Sequence, residues 1–340
     1  MSTKAVKRAL VIGDGGWGTT LAMLLARRGV STVLWCHSME QCEELRSRGE
    51  NKRFLPGVHL PESLEISADP HSAASGVDLV VSAVPTQFLR SVAGHFEDAL
   101  PGDAAVVSAS KGLEIESLNR PSQILREILG EREVCILTGP SHAEEVARGL
   151  PATVVAAAND KALALRVQAA FNGEMFRVYT HTDPVGAELA GALKNVIAIA
   201  AGISDGLGLG DNAKSALLTR GMLEMARYGV GLGGKLETFF GLAGIGDLVT
   251  TCCSPHSRNR SLGEAIGKGE TLQQVLARMN MVAEGVWTTK ALFGPEAETE
   301  GVSMPIAEQV HAVLFENKSP REAVLDLMRR EPSEEMKGLA

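Results

Sequence analysis

The side chains with the most chemistry to offer lie in the second half of this 340-residue chain. Between 189 and 203 only Lys194 and Asn195 are polar. A helix that is apolar all round belongs in a protein core. Most helical lysines are solvated, but this one has no polar face to share. Burying a lysine without a partner is costly, so Lys194 needs a carboxylate or ligand beside it and a depressed pKa. Such an amine suits general acid–base work near neutral pH. Downstream, Gly244-Ile245-Gly246-Asp247 leads into Leu248-Val249 and Thr250-Thr251. Asp247 is either the partner of Lys194 or a helix N-cap. Ser257-Arg258-Asn259-Arg260 then joins the free N–H donors of an expected helix start to a guanidinium, a good match for a small phosphate.

The first half holds a different device, Gly13-Asp14-Gly15-Gly16-Trp17-Gly18. Gly13 permits a tight turn, Gly15 lets backbone approach a pyrophosphate, and Gly18 lets a helix pack close to a strand. Free N–H groups at the helix start would face the phosphates. A lone motif of this type is a weak signal, because many are plain surface turns. Here a strand, loop, helix and second strand all fit, so the loop reads as a dinucleotide site. A flavin dinucleotide would suit the loop too, but nothing else in the chain suggests a flavin domain. An NAD-specific site usually carries Asp or Glu about 20 residues on, at the end of the second strand. This chain has Trp35-Cys36-His37-Ser38 there, with no acid until Glu40 and no arginine. The choice between NAD and NADP stays open, and His37 read alone is a solvated loop residue.

Three later strands end in small or polar residues: Val84-Pro85, Ser110-Lys111-Gly112 and Gly139-Pro140-Ser141-His142-Ala143. Ligands of doubly wound folds lie beyond the carboxyl ends of the strands. Lys111 taken alone is an ordinary surface lysine; its place at that edge favours a ligand contact.

The elements that must position these groups change along the chain. Short apolar runs at 9–12, 32–35, 79–84, 104–108, 134–137 and 153–157 alternate with helical stretches, which predicts a parallel sheet with helices on both faces. Long Ala/Leu/Met-rich stretches follow, such as 185–203 and 214–228, broken by glycine clusters. The expected architecture is α/β: a Rossmann-like, doubly wound dinucleotide-binding domain over 1–183, then a mainly helical substrate and catalytic domain over 184–340. A net charge of −8 gives no general attraction to nucleic acid or anionic membranes, so anionic ligands must be caught by local devices. The five cysteines, an odd count without CxxC spacing, suit a reduced, intracellular protein. Cys252, Cys253 and His256 lack a second ligand pair with zinc-type spacing, and no metal is expected. Nothing near Met1 resembles a signal peptide, and no uninterrupted apolar run approaches the roughly 20 residues of a membrane helix. A cytoplasmic protein without stable membrane insertion is expected.

Taken together these residues resemble the NAD(P)-dependent sn-glycerol-3-phosphate dehydrogenases, especially the bacterial type. The matching pieces are GDGGWGT at 13–19, SKGLE at 110–114, GPSHA at 139–143, ELAGALKNV at 188–196, GIGDLVTTC at 244–252, SRNR at 257–260 and VAEGV at 282–286. They run in family order across nearly the whole chain. The resemblance implies reversible reduction of dihydroxyacetone phosphate to sn-glycerol 3-phosphate, feeding glycerophospholipid synthesis, with NAD or NADP as cofactor. Lys194 matches the family's catalytic lysine. Lys111, Gly139, Ser141, Asp247, Ser257, Arg258 and Asn259 match its substrate-binding positions. Gly16, Trp17, His37, Lys111, Ala143, Arg258, Val282 and Glu284 match its cofactor contacts, beside Gly13, Gly15 and Gly18 of the loop. The family often carries Ser or Ala where Gly16 stands, and usually Arg where His37 stands. The resemblance therefore brings no strong NADP preference with it.

Two other classes compete. A 3-hydroxyacid or ketopantoate reductase of similar architecture needs a carboxylate clamp, which the phosphate-suited SRNR stretch disfavours. A non-catalytic nucleotide sensor would have no use for Lys194 and Asn195 in an apolar helix. The expected partner is a small molecule; the oligomeric state is open, with a homodimer as one option.

Overall fold

The computed structural model describes residues 5–279, 282–295, 297, 302–336 and 338. Eight of its strands form one sheet: β1 Arg8–Ile12, β2 Ser31–Trp35, β3 Leu64–Ser67, β4 Leu79–Ser82, β5 Ala105–Ser108, β6 Val134–Thr138, β7 Ala152–Ala157 and β8 Phe176–His181. Their spatial order is β3-β2-β1-β4-β5-β6-β7-β8. Strands β4, β5 and β6 are buried along their whole length, as expected where helices cover both faces. The order reverses between β1 and β4, which makes their carboxyl ends the natural crevice of this sheet.

Two strands and one direction differ from the sequence-based expectation. β3 and β8 form the two edges of the sheet, and both alternate or mix exposed and buried residues. A search for continuous apolar runs passes over such strands, because an edge strand covered on one face reads as polar. The sheet is also not wholly parallel, since β7 runs antiparallel to β6. The short link through the helix Ala143–Ala147 returns the chain without a full crossover helix.

The chain divides into two compact units. One runs to Ser110 and resumes from Pro121 to Pro184; the other takes Lys111–Arg120 and the chain from Val185 onward. The division in space is thus not the single cut that the change of sequence texture suggests. The core of the second unit is built around the helix Pro184–Leu207, which is 24 residues long. By length and composition this helix would cross a membrane, but 94% of its apolar window is buried within the protein, as befits a core helix. Leu236–Cys253 passes the same test with 44% buried. Gly202 and Gly206 on the core helix face Gly263 and Gly267 on the helix Arg258–Gly267, and a Cβ at any of the four would collide with backbone of the other helix. Small residues one turn apart on both partners allow this close crossing, as in small-xxx-small helix pairs generally. That crossing carries the Ser257-Arg258-Asn259 stretch to the flank of the helix bearing Lys194.

Candidate active site

In the first unit, the chain leaves β1 through Gly13 at φ +112°, a conformation that residues with a Cβ rarely adopt. A Cβ there would press on the Ala83 carbonyl oxygen at 3.0 Å, where the chain leaves β4. One at Gly18 would collide with the Gly13 carbonyl oxygen, so the helix Gly16–Arg27 can lie against the strand only with glycine at that point. Gly15 is different: nothing lies within 4 Å of where its Cβ would be, and it starts the helix without a side-chain cap. The first N–H groups of a helix have no partner inside it, and the positive end of its dipole lies there too. Two glycines forced by sterics and one facing open space, beside uncapped donors, suit a dinucleotide pyrophosphate.

A second loop supports this turn. Asn51 is fully buried, and its Nδ2 donates to the Asp14 carbonyl and to Thr19 Oγ1, both at 2.8 Å. Its Oδ1 accepts from the Phe54 N–H at 3.3 Å. A Cβ at Gly16 would lie 3.3 Å from the Phe54 carbonyl oxygen and 3.6 Å from Ala143 Cβ. Sequence reasoning missed Asn51; an amide in a polar stretch carries no signal until its loop is seen against the glycines. Trp17 is half-buried and tilts against Phe176 at 6.4 Å between ring centres.

His37 is exposed directly after β2, edge-on to Trp35, while Ser38 caps the helix Met39–Arg48 by accepting from the Gln41 N–H at 3.2 Å. Asp14, within the glycine loop, lies in electrostatic range of His37 and Arg53; burial pushes its carboxyl upward, and a backbone hydrogen bond together with these neighbours opposes the shift. On the turn after β6, Gly139 has φ +138°, and Ser141 Oγ donates to its carbonyl at 3.1 Å. Ala143 follows, its carbonyl accepting from Thr20 Oγ1 at 3.3 Å. Gly13, Gly15, Gly16, Trp17, Gly18 and Ala143 therefore form one neighbourhood.

The second unit brings Lys111, Lys194 and Asp247 together. Lys194 Nζ donates to Asp247 Oδ1 and to Thr251 Oγ1, each at 2.6 Å. Lys111 Nζ donates to the other carboxylate oxygen, Oδ2, at 2.7 Å. Lys194 and Asp247 are buried; Lys111 is partly exposed. Burial lowers the Lys194 ammonium to about 8; Asp247 opposes the shift and Lys111 adds to it. Burial alone would raise the Asp247 carboxyl, but the two ammonium groups outweigh it and hold it below the usual range. The N-cap alternative for Asp247 falls away, because no side chain caps the helix Asp247–Cys253 and the carboxylate is committed to the lysines. The π-helical turn Leu242–Gly246 delivers Asp247 to this point, an irregularity frequent at functional sites. Thr251, one turn on, also donates to the Asp247 carbonyl at 2.6 Å, so it braces both members of the pair. The sequence places Thr251 in this stretch but does not single it out.

Ser257, Arg258, Asn259, Val282 and Glu284 gather separately within the same unit. Ser257 Oγ accepts from the Arg260 N–H at 3.2 Å and so caps its own helix. Arg258 is exposed, with Nη1 donating to the Val282 carbonyl at 3.1 Å. Asn259 is buried, and its Oδ1 accepts from the Gly285 N–H at 2.9 Å. Glu284, beside Gly285, opens the helix Glu284–Leu292. A Cβ on Gly285 would lie 2.6 Å from the Asn195 carbonyl oxygen. One glycine thus ties the Ser-Arg-Asn group to the residue next to Lys194. Cys252 is buried and Cys253 exposed.

Comparison with known proteins places the chain in a family. The profile of the NAD-dependent glycerol-3-phosphate dehydrogenase N-terminus matches residues 8–164, and that of the C-terminus matches 183–325. An NAD(P)+ glycerol-3-phosphate dehydrogenase of Chlorobium phaeobacteroides (strain BS1) is 52% identical over 329 residues, covering 96% of this chain and 98% of its own. The crystal structure of glycerol-3-phosphate dehydrogenase from Coxiella burnetii superposes with a TM-score of 0.91 at 36% identity, covering 95% and 99%. A ketopantoate reductase from Ralstonia eutropha reaches a TM-score of 0.56 at 17% identity, covering 93% of this chain and 99% of its own, a likeness of fold alone. The chain belongs to the NAD-dependent glycerol-3-phosphate dehydrogenase family.

Proposed function

We propose that this protein is an NAD(P)-dependent glycerol-3-phosphate dehydrogenase that reversibly reduces dihydroxyacetone phosphate to sn-glycerol 3-phosphate. The observation that carries the reading is Lys194, buried in an apolar helix with its Nζ on Asp247 and Thr251. An ammonium has three donors. With two committed to fixed partners, Nζ is oriented, and the remaining donor is the one a substrate carbonyl oxygen would take. The cofactor supplies the hydride. Lys194 gives its proton to the oxygen as alkoxide charge develops, and in oxidation the neutral amine takes the proton back from the hydroxyl. A pKa of about 8 leaves both forms accessible near neutral pH.

Lys111 adds positive charge beside the same oxygen, where a charge fixed before reaction lowers the barrier. Asp247 offsets one of the two positive charges at that centre, and Thr251 helps fix the direction of Lys194 Nζ. We assign the substrate phosphate to the Ser257-Arg258-Asn259 group, with Gly139 and Ser141 as further substrate contacts. Holding the phosphate fixes the carbonyl, and such positioning is worth several kcal/mol of barrier. Gly13, Gly15, Gly16, Trp17 and Gly18 would hold the pyrophosphate, with His37, Lys111, Ala143, Arg258, Val282 and Glu284 as further cofactor contacts. The product is a backbone for glycerophospholipids, and a cytoplasmic location suits the odd, unpaired set of cysteines.

The test is a spectrophotometric assay of dihydroxyacetone phosphate with NADH and NADPH in parallel. Oxidation of at least one is expected. Silence with both overturns the assignment, and oxidation with ketopantoate but not the phosphate moves it to the reductase class.

A further inference from the structure

The segment Lys111–Arg120 leaves the first unit and packs with the second. It is folded on itself: the Glu114 N–H donates to the Asn119 carbonyl at 3.1 Å, and the Leu118 N–H donates to the Glu114 carbonyl at 2.9 Å. Leu118 sits at φ +58°, a left-handed conformation that a branched side chain adopts only when its surroundings hold it there. Leu113 is buried in the second unit's core, and Ile115 and Leu118 pack against it. Both ends of the segment carry a cation that meets an acid of the second unit. At the start, Lys111 bonds Asp247. At the end, Arg120 Nη1 bonds Glu188 Oε2 at 2.6 Å, and the Glu188 side chain is 1% exposed. Glu188 lies on the same helix as Lys194.

Packing alone needs no buried ion pair: apolar residues of similar volume usually serve as well or better. What an ion pair adds is a defined direction and register. We propose that Arg120 and Glu188 are positioning residues: their ion pair anchors the far end of the Lys111–Arg120 segment on the helix of Lys194 and so keeps Lys111 on Asp247. Through Lys111 they tune the protonation of Lys194, which the chain's own chemistry depends on if the function proposed above holds. The charged and titratable groups acting on Lys194 are Asp247 and Cys252 from the helix Asp247–Cys253 and Lys111 from the segment. Burial sets most of the depression of Lys194, Asp247 counters it, and Lys111 deepens it. Releasing Lys111 removes one positive neighbour and leaves Asp247 to Lys194 alone. Both changes raise the lysine's pKa.

The test compares wild type with Glu188→Gln and Arg120→Lys, using lysine labelled with 13C at Cε. Signals are assigned from the Lys111→Arg and Lys194→Arg spectra. Glu188→Gln should move the Lys194 titration to higher pH, shift the Lys111 signal towards that of a solvated lysine and lower kcat about tenfold or more, as loss of a fixed position does. Arg120→Lys, which keeps the charge, should recover most of the wild-type titration. A melting temperature that falls in Glu188→Gln while both lysine titrations stay at their wild-type values overturns the proposal and leaves the pair a structural one. If Glu188→Gln does not fold, the charge-reversed pair R120E/E188R takes its place: a restored wild-type titration supports the clamp, and a titration still displaced in the folded double variant overturns it. The NMR titration does not depend on turnover. A wild-type rate profile that ignores the Lys194 titration would therefore refute the catalytic role of Lys194 without touching the clamp.

Discussion

Asp247 receives Lys194 on one carboxylate oxygen and Lys111 on the other, at 2.6 and 2.7 Å. The lysine in the core is thereby neutralised by an acid 53 residues downstream, which is shared with a second lysine 136 residues before it. Two ammonium groups on one carboxylate leave a net positive centre where a carbonyl oxygen would gain charge.

Lys194→Ala should keep its affinity for NADH or NADPH, since the glycine loop is untouched. Its kcat should fall about 10²–10⁴-fold, the usual contribution of a positioned acid. Fluorescence titration of the cofactor and steady-state kinetics separate the two effects. A near-normal turnover number would mean that another group delivers the proton.

The pH dependence should have opposite signs in the two directions. Reduction uses the protonated amine, so its kcat should decline as pH rises through about 8, where burial places Lys194. Oxidation uses the neutral amine, so its kcat should climb over the same range. Rate profiles that rise together in both directions would contradict this assignment.

Asp247→Asn removes the anion between two ammonium groups. Breaking one partner out of a buried pair typically costs about 3–5 kcal/mol, so the variant should melt well below wild type. Lys194 should titrate lower still. Thr251→Val leaves a buried ammonium donor without its partner, at a cost of about 1–3 kcal/mol, so it should lower the melting temperature by less than Asp247→Asn while lowering kcat more than it raises KM. An unchanged kcat would reduce Thr251 to packing.

Gly18→Ala would place a methyl group against the Gly13 carbonyl. The helix Gly16–Arg27 must then move away from the strand, spreading the turn that would receive the pyrophosphate. Cofactor affinity should drop for NADH and NADPH alike, as calorimetry would record. Gly15→Ala, with open space around its Cβ, should fold normally and weaken binding only by crowding the phosphate.

His37 and Arg53 lie in electrostatic range of Asp14. If either meets an adenosine 2′-phosphate, the variants His37→Ala and Arg53→Ala should lose about tenfold or more NADPH affinity beyond any loss for NADH, in keeping with about 1.5–3 kcal/mol for a charged hydrogen bond. Equal losses for both cofactors would assign these residues to the pyrophosphate or to loop structure.

Much of the fold is readable locally. The strands from β1 to β2 and from β4 to β7 announce themselves because a strand buried on both faces must be apolar throughout. β3 and β8 do not, because an edge strand is only half covered. The reversal of β7 is also silent, since direction is a property of pairing and not of composition.

The sequence by itself determined the glycine turn and the anomaly of a lysine inside an apolar helix. Both are short-range facts: a positive φ and a close helix start demand glycine within six residues, and an unshared charge on an apolar helix is visible in its own neighbours. It left open whether Asp247 caps a helix or pairs with Lys194, and it held no trace of Asn51 tying two loops or of Arg120 meeting Glu188. Those are contacts between residues far apart in the chain. A hydrogen bond has direction and a reach of about 3 Å. Only the folded backbone decides which distant side chains fall within that reach, and here it decided that the buried lysine shares its acid.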